Sequence, residues 1–384
     1  MESTNGSDRA DLMMEDVSDV DPEKSPRTAT GTPVDAGVHI DADPGKPSSL
    51  GPVAVVDTAK DVTHPREPVP ITGRSVRLGD QVFKGLAAGS GGLLLVIMAA
   101  IAFFLIWKAI PAFSGNSGNL LTTQVWNPGA NPPLFGMAAL LFGTIVSSVI
   151  AMLIGVPVAI GIALFISQYA RRRLATVLGG VVDLLAAVPS LIFGMWGLYF
   201  LVPETSGFQK WLTDYFGWIP LFATSTPLTV NQYGKSLLIA GIVLAIMIIP
   251  IVSAVSREVF LQTPRETIDA ALALGATKWE SIQTAVLPFG RPGMISAAML
   301  GLGRALGETI AVALVLNSGF KINWHLTEPG GDTISANIAN KFGEAAGSEL
   351  GIPALILSGL FLFVITLVVN SAARLVIARR KDFV

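Results

Sequence analysis

Two charged residues stand inside an otherwise uncharged apolar run: Arg304 and Glu308, within 292–316. A charge at bilayer depth costs at least ~2.5–3.5 kcal/mol, so it persists where it faces a bundle interior or a water path. On an unbroken helix a spacing of four puts both groups on one face. A guanidinium offers five fixed donors and suits a tetrahedral oxyanion such as phosphate. Glu308 would then hold Arg304 in place between turnovers. A second reading makes the two a self-neutralising pair that ties a bundle together, although Arg before Glu is the less favourable order on a helix. Gly303 and Gly307 form a small-x3-small step that would let a neighbouring backbone come close. Ser190 follows Pro189, which interrupts helix hydrogen bonding. Ser190 and Thr309 either line the same path or satisfy freed carbonyls. Asp183 reads as a carboxylate at the end of its span.

A second constellation lies in the polar loop 257–288. Thr263 can cap a helix, Pro264 suits a first helical position, and Glu266 falls in the first turn. Ile268, Ala271 and Leu272 give an apolar stripe. Gly275 breaks the helix, because a left-handed turn is cheap only for Gly. Lys278-Trp279-Glu280 begins a second short helix that should end before Pro288. Such a helix–Gly–helix hairpin can dock on a soluble partner.

These residues need a membrane-spanning frame. The 384 residues are 51% hydrophobic and 14% charged, with no cysteine, and the mean hydropathy is +0.59. Residues 1–84 hold 15 acids and 9 bases, whereas 85–384 hold only 30 charges. The first segment is too polar to bury a core and the second too apolar for water. Crossing the hydrocarbon core takes about 20 apolar residues. Six segments qualify: 85–107, one within 134–167, 174–202, 236–256, 292–316 and 353–377. Basic residues flank them in alternation and place both termini and the loops at 171–173 and 257–291 in the cytoplasm. The predicted organisation is a disordered acidic cytoplasmic tail (1–72), a juxtamembrane interfacial segment (73–84) and a transmembrane domain (85–384). Trp107, Trp126 and Trp218 read as interface anchors. The absence of cysteine excludes a disulfide framework, a Cys-based zinc site and a Cys nucleophile. His39, His64 and His325 are too scattered for a metal cluster, and nothing is basic enough for nucleic acid. No Gly-x4-Gly-Lys-Ser/Thr occurs, so any ATP must be bound by a partner.

The hairpin carries a resemblance. Asp269-Ala270-Ala271, Gly275 four residues after Ala271, and the closing Leu287-Pro288 resemble the EAA loop of ABC-importer permeases. Asp269 stands where that family has Glu, and Ala285 where it has Ile; both keep the residue type. Within the family, Gly303-Arg-Ala-Leu-Gly-Glu-Thr309 resembles the phosphate-specific permeases. Asp183 to Ser190 and Gly194-Met-Trp196-Gly197 agree with it, and Gly143-Thr144 and the run to Ser167-Gln168 match more loosely. The likeness spans about 80–384 and is strongest over 183–197 and 257–318.

The resemblance implies an all-α polytopic protein of the type I ABC importer permease architecture. It implies a second permease subunit, a dimeric cytoplasmic ATPase that binds the ATP, and an extracytoplasmic phosphate-binding protein. Arg304 and Glu308 match the family's residues tied to phosphate passage. Asp269, Ala270, Ala271, Gly275, Leu287 and Pro288 match its ATPase-coupling loop. The expected function is a non-enzymatic permease subunit that passes inorganic phosphate by alternating access. Alternatives are a permease for another oxyanion (sulfate or molybdate) and a secondary anion carrier using Glu308. For a membrane-embedded enzyme, no catalytic set in the spans gives support.

Overall fold

The computed structural model describes residues 78–380. The expected tail at 1–72 and the start of the juxtamembrane segment lie outside the described residues. In chain order the elements are α1 (Leu78–Gly115), a hairpin of β1 (Trp126–Asn127) and β2 (Leu134–Phe135), α2 (Ala138–Leu164), α3 (Arg172–Ala186), α4 (Ser190–Trp196), α5 (Val202–Phe216), α6 (Leu237–Leu261), α7 (Arg265–Ala273), α8 (Lys278–Ser281), α9 (Leu287–Gly307), α10 (Ile310–Val315), α11 (Ile334–Ala345) and α12 (Gly351–Arg380). Single π turns extend α2 (Phe165–Tyr169), join α4 to α5 (Gly197–Leu201) and join α8 to α9 (Ile282–Val286). The last stretch of the expected interfacial segment, from Leu78, is the beginning of α1 itself.

Five continuous helices are long and apolar enough to cross a bilayer: Gln81–Gly115, Ala138–Tyr169, Leu237–Leu261, Lys278–Gly307 and Gly351–Leu375. The expected span at 174–202 is not one helix. Arg172–Ala186 and Ser190–Phe216 meet at a bend of 89°. The chain tightens first, with the Ala187 and Val188 N–H groups donating to the Leu184 and Leu185 carbonyls. It then extends at Pro189 (φ −58°, ψ 139°). Proline removes a donor and disfavours the helical region for the residue before it. Proline alone does not decide the outcome, since Pro157 and Pro250 lie inside α2 and α6. There the helix runs on through the proline, and in α6 the Ser253 hydroxyl donates to the Pro250 carbonyl at 3.0 Å.

The packed centre is α2 against α6, with α9 packed on both. Small residues let the helices close up. A Cβ at Gly241 would lie 2.5 Å from Ile150 Cγ2, and one at Gly155 would lie 2.8 Å from Ile248 Cγ1. Ala151, Ala159, Ala245 and Ala297 are fully buried among Val243, Leu244, Ile248 and Val252. Without a hydrophobic drive between helices in lipid, this close packing is what holds them. In contrast α1 exposes nearly all of its apolar side chains and packs on α12. Its periphery suits contact with acyl chains.

The connections are ordered. The Leu326 N–H donates to the Leu221 carbonyl (2.7 Å) and the Gly330 N–H to the Lys235 carbonyl (3.1 Å). Glu328 accepts from Asn323 (2.6 Å) and Ser225 (3.1 Å) and shares a hydrogen bond with His325 (3.0 Å). Segment 221–238 and segment 319–330 are thereby stapled together. Trp126 stacks on Phe320 at 6.2 Å between centroids, so it packs within a connection, whereas Trp107 and Trp218 are exposed.

Candidate functional site

The helix carrying Arg304 ends sooner than the apolar run suggests. α9 stops at Gly307, Glu308 is extended (φ −69°, ψ 125°), and α10 resumes at Ile310. The expectation that Arg304 and Glu308 share one helix face is therefore corrected: the break falls between them. Their pairing is absent too. The ion pairs among the described residues are Lys210–Asp214, Arg257–Asp183, His325–Glu328 and Lys341–Glu344. Glu308 is buried and turns to backbone instead. Its Oε1 accepts the Ala311 N–H at 3.3 Å, inside the first turn of α10, and its carbonyl accepts from the Ser335 hydroxyl at 2.7 Å. Thr309 donates to the Gly307 carbonyl at 3.2 Å and closes the end of α9. A broken span exposes backbone groups that must find partners, and these contacts supply them.

The second break lies beside the first. A Cβ at Gly194 would sit 2.7 Å from the Ala311 Cα, and one at Gly197 would sit 2.9 Å from Val315 Cγ1. The pairing of 194 with 311 and 197 with 315 runs parallel, so α4 and α10 start at the same end. That places Ser190, the half-buried first residue of α4, level with the Glu308–Thr309 break. The structure thus groups Ser190, Glu308 and Thr309 at paired half-helix starts.

Arg304 belongs to a different group. It lines an open cleft of about 640 Å³ with Ser296, Leu300, Gly303, Asn370 and Arg374. Its Nε is buried without a hydrogen-bond partner. Gly303 and Gly307 do not meet a neighbouring backbone, contrary to the small-x3-small expectation. A Cβ at either would find nothing within 4 Å. The missing side chain at Gly303 widens the cleft instead. Asn370 and Arg374 were not legible as site residues from the local sequence. The available signal was a polar Asn inside a span, four residues before an Arg and so on the same face.

A buried polar turn braces the break. The Ile334 N–H donates to Thr144 Oγ1 at 3.0 Å, and a Cβ at Gly143 would overlap the Asp332 carbonyl. Asp332 Oδ1 accepts the Thr333 N–H at 2.8 Å, while Oδ2 is buried without a partner. Burial pushes the Asp332 carboxyl up to about 6, against the opposing pull of the Thr333 N–H, Ser318 and Lys341. A carboxyl held above its ordinary 3.8 binds its proton more tightly in the folded chain than in the unfolded one. Stability from this group should therefore fall as pH rises from about 4 to about 6 and be level outside that window. Asp332→Asn is expected to remove that slope in thermal unfolding of the purified protein. An unchanged slope in the variant would assign it to another group.

The polar hairpin is built as its sequence suggests, with two corrections. Asp269, Ala270 and Ala271 lie in α7. Pro264, not Thr263, is the cap residue, and Thr263 Oγ1 is buried without a partner. At the other end the Gly275 N–H donates to the Leu272 carbonyl (2.9 Å) and the Ala276 N–H to the Ala271 carbonyl (3.2 Å). This is a Schellman closure, with Gly275 left-handed at φ +85°. Thr277 and Glu280 then form a reciprocal capping box: Thr277 N–H donates to Glu280 Oε2 at 2.7 Å and Glu280 N–H to Thr277 Oγ1 at 3.3 Å.

The second correction concerns Pro288. The helix begun at Lys278 does not end before it but continues to Gly307. Pro288 sits just after the π turn Ile282–Val286, where the hydrogen-bond register shifts and a missing N–H is tolerated. Leu287 and Pro288 are thus inside one rod that links the hairpin to Arg304. Leu274 at the hairpin tip is 90% exposed, with Leu272 and Trp279 about half exposed. Nearby, Arg257 reaches Asp183 at 3.3 Å through the space left by Gly179, so Asp183 pins α3 to α6.

A helical membrane frame with broken half-helices, a cationic cleft and an exposed hairpin describes a permease subunit. The chain belongs to the family of binding-protein-dependent transport system inner membrane components, whose model matches residues 155–382. It is therefore a multi-pass membrane protein and a transporter component rather than an enzyme. It is similar over most of its length to curated relatives. "Phosphate transport system permease protein PstC 2" of Mycobacterium tuberculosis (strain ATCC 25618 / H37Rv) is 44% identical over 307 residues, 78% of this chain and 92% of the relative. "Phosphate transport system permease protein PstC" of Mycobacterium leprae (strain TN) is 43% identical over 309 residues, 79% of this chain and 94% of the relative. The protein of the same description from Xylella fastidiosa (strain Temecula1 / ATCC 700964) is 41% identical over 326 residues, 83% of this chain and 98% of the relative.

Proposed function

We propose that this chain is the permease subunit of an ATP-driven importer that passes inorganic phosphate by alternating access. The observation that carries the reading is Arg304, in no ion pair among the described residues, held near the end of a continuous rod and opening on a cleft. Similarity to relatives described as phosphate transport permeases supports the choice of anion. A planar donor fork receives a phosphate oxygen pair in two parallel charge-assisted hydrogen bonds. Because no carboxylate pairs with it among the described residues, its counter-charge is the passing anion. Glu308 fixes the start of α10, and with Ser190 and Thr309 it lets the two half-helices move as a unit.

The chain itself binds no ATP in this reading. A dimeric cytoplasmic ATPase receives the hairpin 257–288, with Leu274 at its tip and Asp269, Ala270, Ala271 and Gly275 setting its shape. Leu287 and Pro288 pass the movement along α9 to Arg304. A second permease subunit completes the passage, and an extracytoplasmic phosphate-binding protein delivers the anion. Both termini are cytoplasmic in this orientation, as the alternation of basic residues favours.

The experiment is uptake of labelled phosphate by the full importer in the presence of excess sulfate or molybdate. Uptake should be unaffected by either and suppressed by unlabelled phosphate. Suppression by sulfate or molybdate equal to that by phosphate would make this a permease for another oxyanion.

A further inference from the structure

We infer that Arg374 and Asn370 of α12 form, with Arg304, a two-arginine site for a phosphoryl oxyanion. The inference rests on the phosphate-permease reading and extends it from one cationic residue to a pair on two helices. Read from sequence, Arg374 is one of the basic residues that fix orientation near a span end. The structure keeps it at the span end and also puts it in the wall of the cleft that Arg304 lines.

Three observations carry the assignment. First, the cleft is built by matched faces. Ser296, Leu300 and Arg304 recur at intervals of four on α9, and Asn370 and Arg374 at the same interval on α12. Both stripes line one space. Second, the space is cationic. It is lined by two guanidiniums and no carboxylate, and neither arginine has an acidic partner among the described residues. Two like charges lining one cleft repel each other, and an anion between them relieves that repulsion. Third, the donors are unspent. Arg304 Nε is buried without a partner, and the Asn370 amide adds donor capacity one helical turn from Arg374. A dianionic or monoanionic phosphoryl group, with oxygens on all sides, can accept from both forks.

α9 runs from Leu287 toward Gly307, and α12 returns from Gly351 toward Arg380, so Arg374 lies near the end of its helix. Arg374 therefore closes the cleft on the side toward the C-terminal end of α12. The same chemistry would recognise a lipid headgroup phosphate, because the cleft is open. The test separates the two sources.

The complete importer is reconstituted in vesicles made of zwitterionic lipid alone and in vesicles containing anionic lipid. Labelled inorganic phosphate uptake is measured against phosphate concentration for the unsubstituted protein and for Arg374→Gln, Arg374→Lys and Asn370→Leu. Arg374→Gln should lower the maximal uptake rate roughly tenfold, the loss of about one charge-assisted hydrogen bond, in both kinds of vesicle. The half-saturating concentration should not move, since the binding protein sets it. Arg374→Lys should recover most of the rate, because the charge returns, and Asn370→Leu should lower it. Undiminished uptake in Arg374→Gln overturns the assignment, as does failure of Lys to recover the rate, which would mark a packing role. A defect confined to anionic-lipid vesicles overturns it in favour of a headgroup site. Should the Gln variant fail to assemble, Asn370→Leu decides, and undiminished uptake there overturns the assignment. No phosphate uptake by the unsubstituted importer would instead strike the phosphate reading itself.

Discussion

Replacing Arg304 by Gln is expected to lower ATP-driven phosphate uptake by roughly tenfold to a hundredfold, with the assembled complex still recovered. The magnitude is that of charge-assisted hydrogen bonds to an anion, about 1.5–3 kcal/mol in all. Assembly should survive because Arg304 makes no ion pair with the rest of the chain among the described residues, and its removal leaves no buried carboxylate unpaired. The geometry makes this sharper than the sequence could. Had Arg304 paired with Glu308, the same substitution would strand a buried carboxylate and destabilise the fold. Uptake and thermal stability measured together distinguish the cases. Normal uptake removes Arg304 from the passage, and a collapse in stability returns the ion-pair reading.

The second large effect is expected at Gly275. Its φ of +85° is left-handed, and a Cβ there would meet nothing within 4 Å in this chain. Any cost within the chain is therefore backbone handedness, about 1–2 kcal/mol for an ordinary side chain. Gly275→Val should deform the Schellman closure, misplace Leu274 and leave ATP hydrolysis running with little phosphate moved. Gly275→Asn should be milder, since Asn tolerates the left-handed region. Phosphate moved per ATP hydrolysed is the readout. An Asn variant worse than Gly275→Ala would mean that the ATPase cleft is limited by side-chain bulk rather than by the turn. A Val variant with normal coupling would contradict docking through this hairpin.

Much of the frame was legible because it is written in long-range composition. Uncharged runs located the helices, and the Gly275 turn follows from one residue whose conformational freedom is needed there. The breaks were not legible in the same way. Pro189 ends a helix, whereas Pro157 and Pro250 do not, and what separates them is tertiary: α4 must lie along α10 at Gly194 and Ala311. Nothing in Gly307-Glu308-Thr309 announces that α9 ends there, because its end is secured by Ser335 and Ala311, both later in the chain. Spacing arguments such as the four-residue step from Arg304 to Glu308 hold only while the helix holds. Pro288 erred in the other direction, where a π turn carried the helix through a residue that usually closes one. The cleft required knowing which face of α12 meets α9, and that is a property of packing alone.

The most direct test of the account is uptake of labelled phosphate by vesicles holding this chain with its second permease subunit and ATPase, with the binding protein on the opposite side from ATP. Accumulation should require ATP and the binding protein together and should not respond to a proton gradient. Phosphate accumulation driven by a proton gradient without ATP would contradict the account and make this a secondary carrier.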